Sequence, residues 1–270
     1  MQQAVSHRVA RPYTELAAMY DATLGVPFFV GTRRAFEELV KRYGINFRSA
    51  ADLGCGTGLF ARYLSRRWGV PTFAVDRSPA MLAIAMRNCT GCEVGLLQQD
   101  IRCLQLPQPV DLVTANFDTL NYLLSGPDLR QTFQRIYVNL RPGGYFIFDL
   151  ITPCQPQDSY LVRMKRLPGT ALEPRQQILW DGLRRLLFTT IVFQKPGSFA
   201  LVSECHVERA YSPLQVAQWL EAAGFVIRDI VDARTLRIAI GCPPRIIVIA
   251  QKRPAAGVEA RGDGRQRETI

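Results

Sequence analysis

The feature that most constrains this 270-residue chain is a rhythm between residues 50 and 150. Strand-length apolar runs (Thr72–Val75, Val94–Leu97, Val110–Thr114, Tyr145–Phe148) alternate with helix-like segments such as Leu59–Arg67 and Pro79–Arg87. Parallel neighbours need a long crossover, usually a helix, so the alternation predicts an α/β fold with a parallel sheet covered on both faces. Helix starts are well marked. Ser78-Pro79 and Ser212-Pro213 each place a capping Ser before Pro at the first helical position, and Gln215 completes a capping box with Ser212. Gly224 is a left-handed stop for the helix Pro213–Ala223. Residues 155 to 210 break the rhythm. Leu186–Phe193 and Phe199–Val207 are β-rich and joined by Lys195-Pro196-Gly197-Ser198, which predicts an antiparallel insertion. The sheet then resumes with Phe225–Val231 and Arg245–Ala250.

Apolar residues at 48% and charged residues at 21% exclude a disordered chain, a collagen and a coiled coil. Met1 to Tyr20 lacks the apolar core of a signal peptide, and the longest apolar runs are far too short to span a bilayer. The expectation is a cytoplasmic protein with no membrane partner. Seven cysteines, an odd number without a regular framework, read as reduced thiols. Cys89 and Cys92 form a C-x-x-C that follows a helix rather than opening one. With only two histidines in the chain it reads as a turn, and no metal is expected. The net charge of +10 raises the question of a nucleic-acid partner. Lysines number only four, however, and the excess is spread along the chain with no dense basic run, which disfavours that partner.

Four features carry chemistry. Ala51-Asp52-Leu53-Gly54-Cys55-Gly56-Thr57-Gly58 is a glycine-rich turn between a strand and a helix, where a ligand can approach the backbone closely. Its G-x-G-x-G spacing departs from the dinucleotide fingerprint, which would need Gly at Leu59, and it lacks the Gly-Lys-Ser/Thr of a P-loop. Asp76 ends the next strand about 20 residues later, where a carboxylate can accept two ribose hydroxyls. Asp100-Ile101 ends the strand after that, and Asn116-Phe117-Asp118 follows Val110–Thr114. All four lie at the carboxyl ends of strands, where open α/β sheets bind ligands.

In that order and spacing these motifs, with L-R-P-G-G-Y-F-I-F-D-L at 140–150, resemble those of class I S-adenosylmethionine (SAM) methyltransferases over about residues 10 to 250. The resemblance implies a Rossmann-like, seven-stranded, mostly parallel sheet in the order 3-2-1-4-5-7-6, its last strand antiparallel, and SAM as cofactor. It also implies five stretches: an N-terminal helical cap (1–48), a SAM-binding core (49–153), an antiparallel insertion shaping the acceptor pocket (154–211), the last helix and strands of the sheet (212–251) and a disordered tail (252–270). For the cofactor it implies Asp52 and Asn116 at the methionine amino group, and Gly54, Cys55, Gly56 and Gly58 at the backbone approach. Asp76 would bind the ribose with Arg77 beside it, Asp100 and Ile101 would frame the adenine, and Phe117 would flank the cofactor.

Methyl transfer needs no diagnostic nucleophile, so the acceptor is harder to read. Asn116-Phe117-Asp118-Thr119 lacks the Pro-Pro of enzymes that methylate base amines or glutamine. The N-terminal segment and the insertion are similar to those of glycine and amino-sugar N-methyltransferases. That similarity implies a small-molecule acceptor attacked through N, O or C. RNA or another macromolecule as acceptor, and a non-catalytic SAM-binding protein, are the alternatives. Tyr13 and Tyr20 sit seven apart on a helix-like stretch and are expected to cap the site. Glu204, His206 and Glu208 alternate on one face of a strand, making His206 a candidate base. Asp118 and Tyr20 join it as catalytic candidates, and Asn121, Tyr122 and Asp149 as lining. The pairs Arg33-Arg34 and Arg184-Arg185 could each send one guanidinium to an acidic group on a substrate.

Overall fold

The computed structural model describes residues 7–155, 160–164, 166, 169–195, 197 and 200–255. In chain order it begins with β1 (His7–Ala10), α1 (Val26–Arg42), β2 (Ala50–Leu53), α2 (Leu59–Trp68), β3 (Thr72–Asp76), α3 (Pro79–Asn88) and β4 (Val94–Gln98). Then come β5 (Val110–Ala115), α4 (Gly126–Asn139), β6 (Leu140–Ile151), β7 (Tyr160–Arg163), β8 (Arg175–Asp181), β9 (Leu186–Gln194) and β10 (Leu201–Arg209). The chain closes with α5 (Pro213–Ala222), β11 (Phe225–Asp232) and β12 (Arg245–Lys252).

Seven strands form the main sheet in the order β11-β12-β6-β5-β2-β3-β4. Only β12 runs antiparallel to its neighbours, β6 and β11; the other pairings are parallel. This is the expected class I methyltransferase topology. Alternation along β6 explains why the sheet needs cover on both sides. Phe146, Phe148 and Leu150 pack with Phe133 of α4 and Leu220 of α5. Ile147 points the other way, into a layer with Phe36 and Leu39 of α1 and Phe60 and Leu64 of α2.

The second sheet, β1-β10-β9-β8-β7, is the insertion joined by the N-terminal strand. The hairpin β9–β10 was legible in the sequence; β7, β8 and β1 were not. The N-terminal stretch departs from the helical cap expected of it. β1 pairs parallel with β10, and only after a tight turn does the chain enter helical turns at Leu16–Met19 and Asp21–Gly25 that run into α1. β1 is an edge strand whose first three residues are exposed, so no hydrophobic alternation marks it. Leu16 and Met19 pack on Ile191, Phe193 and Val202, fastening this segment to the small sheet.

Two further expectations are adjusted. Ser78 caps α3 by accepting from the Met81 N–H at 3.3 Å, but the Ser212 hydroxyl makes no cap bond on α5. The seven cysteines are not all thiols: Cys154 and Cys242 form a disulfide across 88 residues. The antiparallel pairing of β6 with β12 sets Ile151 opposite Arg245 and so brings the two cysteines together, a proximity that spacing cannot reveal. Cys89 and Cys92 remain free, with the Cys92 N–H closing a turn onto Cys89 O. Pro196 and Ser198 of the expected hairpin turn, and the tail beyond residue 255, lie outside the described residues. Among the described residues no helix is long and apolar enough to cross a membrane.

Phe148 is fully buried, 5.8 Å from the Phe133 ring and 4.4 Å from that of Phe146. Phe148→Ala should therefore destabilise the fold by about 3–5 kcal/mol, read as a lower urea midpoint with an unchanged slope.

Candidate active site

The carboxyl ends of β2, β3 and β5 surround a cavity of about 330 Å³. Gly54, Gly56 and Gly58 all hold positive φ, at +63°, +53° and +79°. Their reasons differ. A Cβ on Gly54 would lie 2.2 Å from the Thr119 hydroxyl, so the close approach is to the loop after β5. A Cβ on Gly58 would meet Cys89 and Ala85, so this glycine serves the packing of α2 on α3 and does not line the cavity. Gly56 lines it, has nothing within 4 Å of a built Cβ, and donates its N–H to Asp76 at 2.8 Å. The other Asp76 oxygen accepts from the Ser78 N–H at 2.8 Å. A carboxylate has about four acceptor positions, so two are left for a ligand. Burial raises the pKa of Asp76.

Asp52 is buried at the end of β2. One of its oxygens accepts from the Thr114 hydroxyl at 2.8 Å and from the Asn116 amide at 3.4 Å. Burial outweighs these bonds and lifts its pKa to about 7. The Asn116 main-chain carbonyl accepts from Thr119 at 2.8 Å. Asp100 differs from expectation in that Arg102 already chelates it, with Nη2 2.6 Å from one oxygen, and this pairing lowers its pKa. Cys55, Arg77, Ile101 and Phe117 also line the cavity, so the cofactor residues named from sequence converge there except Gly58.

Tyr13 and Tyr20 both face this cavity, with ring centroids 5.9 Å apart. No helix sets that spacing: Tyr13 sits in the turn after β1 at φ +59°. What holds it there is Glu204 on β10, fully buried, which accepts from the N–H groups of Tyr13 (2.7 Å), Glu15 (2.7 Å) and Leu16 (2.8 Å). Burial alone would raise the Glu204 pKa; the nearby His206 ring, with Nε2 at 3.6 Å, and these three N–H groups win, and it falls. The Ser78 hydroxyl donates to Tyr13 O at 2.9 Å, and Asp21 accepts from Thr57 at 2.5 Å and from Asn88 at 3.1 Å. The N-terminal segment is thus tied to both sheets, and Asp21 and Glu204 were not singled out for this from sequence.

His206 lies behind the tyrosine wall and does not line the cavity. Its Nδ1 is 3.0 Å from the Tyr122 hydroxyl, which is 2.6 Å from that of Tyr13. Desolvation raises the pKa of Tyr13, Tyr20 and Tyr122, so these phenols stay protonated. Asn121 is not a lining residue: it brackets Ile151 and Arg209 through their main-chain groups. Asp118, at φ +60° after Phe117 at φ +59°, pairs with Arg245 at 2.5 Å, and Arg245 also meets Asp149. Arg245 is the residue that sequence reading missed, because its partners come from two other strand ends. Burial, then repulsion from Asp118, raises the pKa of Glu208 on β10, while burial raises that of Asp149. Arg184 pairs with Asp181 on an exposed hairpin and Arg33 with Glu37 at 3.9 Å, so neither reaches the cavity.

Residues 50–144 match a methyltransferase domain model. A protein of Geobacillus sp. (strain WCH70) named only as a methyltransferase is 28% identical over 250 residues, covering 89% of this chain and 99% of its own. A SAM-dependent methyltransferase from Clostridium acetobutylicum superposes with a TM-score of 0.74 at 24% identity, covering 89% of this chain and 99% of that one. Residues 50–144 are a methyltransferase domain, and the chain has the fold of class I SAM-dependent methyltransferases. A third similar structure is an amino pentose methyltransferase of Micromonospora echinaspora with SAM bound (TM-score 0.66, 20% identity, 83% of this chain and 91% of that one). In this methyltransferase the strand ends that build the cavity, from β2 to β5, all fall inside the matched domain, whereas Tyr13, His206 and Arg245 fall outside it.

The raised pKa of Asp52 gives a pH test. A cationic amino group needs the ionised carboxylate, and a carboxyl with a pKa of about 7 is increasingly protonated below that value. SAM affinity should therefore weaken as pH falls below about 7, approaching tenfold per pH unit, with proton release on binding visible by calorimetry in two buffers. Asp52→Asn should flatten the profile. Asp76→Ala should lower affinity by at least about tenfold at every pH.

Proposed function

We propose that this methyltransferase acts on the amine nitrogen of a small molecule. SAM, when bound, supplies a sulfonium methyl that leaves with its electron pair remaining on sulfur. Asp52 and Asn116 hold the cationic amino group of the cofactor, and Asp76, with Arg77 beside it, holds the ribose hydroxyls. Asp100 and Ile101 frame the adenine, Gly54, Cys55 and Gly56 allow close backbone approach, and Phe117 flanks the cofactor. The free acceptor positions of Asp76 and the uncompensated carboxyl of Asp52 support this assignment.

The observation that carries the choice of nitrogen is the acidic cluster next to the Asn116-Phe117 wall of the cavity. One guanidinium, Arg245, meets two carboxylates, Asp118 and Asp149, and Glu208 adds a third acidic group among the tyrosines. Transfer to a neutral amine moves positive charge from sulfur to nitrogen, and surrounding carboxylates and phenol oxygens stabilise that cation throughout. A carbanion acceptor would be repelled by the same groups. A hydroxyl acceptor must lose its proton during transfer to a base it touches, and His206 does not line the cavity; an amine loses its proton only after transfer. Tyr13 and Tyr20 cap the site and exclude water. The Tyr13–Tyr122–His206 chain then carries the proton released by the methylated ammonium towards His206. The amino-sugar acceptor of the Micromonospora echinaspora relative agrees with this reading.

Turnover, followed as demethylated cofactor, should be seen with small primary or secondary amines and not with matched alcohols or acidic carbon compounds. Methylation confined to alcohols, carbon acids or RNA would overturn the proposal. Tyr122→Phe should keep SAM affinity and lower kcat by about tenfold or more, with the largest loss at low pH where the amine proton is hardest to remove.

A further inference from the structure

A second cavity, of about 430 Å³, lies on the opposite side of Phe117 from the cofactor cavity, between α1 and the turn after β11. Asn116 and Phe117 line both, so these two residues form the partition. Phe117 is held in its left-handed conformation with its ring 5.6 Å from that of Phe28 on α1. A non-glycine residue at positive φ is costly and persists where surroundings fix it, most often at functional sites. The walls are tied together: Arg42 at the end of α1 donates to Leu236 O, and Tyr43 donates to Asp229. The cavity is therefore built, and it is polarised. Asp149, with a side chain only 13% exposed, lines it and shares Arg245 with Asp118, leaving more negative than positive charge at that point. Arg34 and Arg234 line it too, both exposed, and neither side chain has an ion-pair partner among the described residues. Phe28, Leu236 and Ile247 supply apolar surface between.

We propose that this second cavity is the acceptor's chamber and selects an amphoteric molecule, its amine beside Asp149 at the Phe117 partition and its anionic group held by Arg34 and Arg234. The inference rests on the amine reading above and adds the shape and charge of the rest of the substrate. A cation and an anion at opposite ends fix the direction of entry, because reversal would bring like charges together. Carboxylate and phosphate share the chemistry that two guanidinium groups recognise.

The test uses the full-length protein saturated with demethylated cofactor and three probes sharing one phenylalkylamine body, ending in carboxylate, phosphate or hydroxyl. Calorimetry should show one or both anionic probes binding about tenfold more tightly than the hydroxyl probe, with the gain shrinking as salt rises. The stronger of the two identifies the anion. Arg34→Gln with Arg234→Gln should erase the gain and leave SAM affinity unchanged. Gly31 on α1 lines the cavity, and a Cβ there meets nothing within 4 Å, so Gly31→Phe should fill it without disturbing packing and block all three probes while SAM still binds. Equal affinity for all three probes would overturn the inference, as would a gain retained in the double variant or probe binding unaffected by Gly31→Phe. Because these readouts are of binding, they fail separately from the amine reading, which fails if amines are not methylated.

Discussion

Glu204 is the interaction on which the site depends. A fully buried carboxylate is costly in a protein interior unless hydrogen bonds satisfy it, and three main-chain N–H groups do so here. Each such charge-assisted bond is worth about 1.5–3 kcal/mol. Together they fix the turn that sets Tyr13 at positive φ, and through Tyr13 the chain of hydroxyls that reaches Tyr122 and His206. Without that carboxylate the N-terminal segment would still pack through Leu16 and Met19, but Tyr13 would keep only its bonds to Ser78 and Tyr122 to orient it against the cavity.

The core sheet and the cofactor cavity were largely legible in the sequence because their signals are local. Strand ends, glycines and carboxylates recur within about 70 residues, from Asp52 to Asn116, each beside the turn it serves. The acceptor side was less legible because it is assembled from distant parts of the chain. Arg245 lies 96 residues from Asp149 and 127 from Asp118, and Tyr13 lies 191 from Glu204. Alternation did place Glu204, His206 and Glu208 on one buried face, but it could not tell that Glu204 would be spent on backbone while His206 faced a tyrosine. The edge strands β1 and β7 escaped for a related reason: their residues are mostly exposed, so burial left little pattern in them.

Charge follows the same division. The ten excess positive charges looked like a property of the whole chain, yet the charged residues lining the two cavities are balanced: Asp52, Asp76, Asp100, Asp128 and Asp149 face Arg34, Arg77, Arg102, Arg234 and Arg245. Burial raises the carboxyl pKa values of Asp52, Asp76, Asp149 and Glu208, disfavouring their charged forms until a bound cation compensates them. The arginines Arg184 and Arg33 are instead matched by acids on the surface, where such pairs contribute little.

The disulfide between Cys154 and Cys242 has a topological meaning beyond a local staple. The covalent ring it closes contains β7 to β10, α5 and β11, which is the whole insertion together with one edge of the main sheet. Its two anchors lie just after β6 and just before β12, adjacent strands of the main sheet. The tyrosine-bearing N-terminal turn docks onto β10, inside that ring, while the cofactor turn lies outside it. Reduction would therefore leave the fold's connectivity intact, yet a single backbone cut between Cys154 and Glu204 would then leave Glu204, His206 and Glu208 on a fragment with no covalent link to Tyr13 and Tyr122.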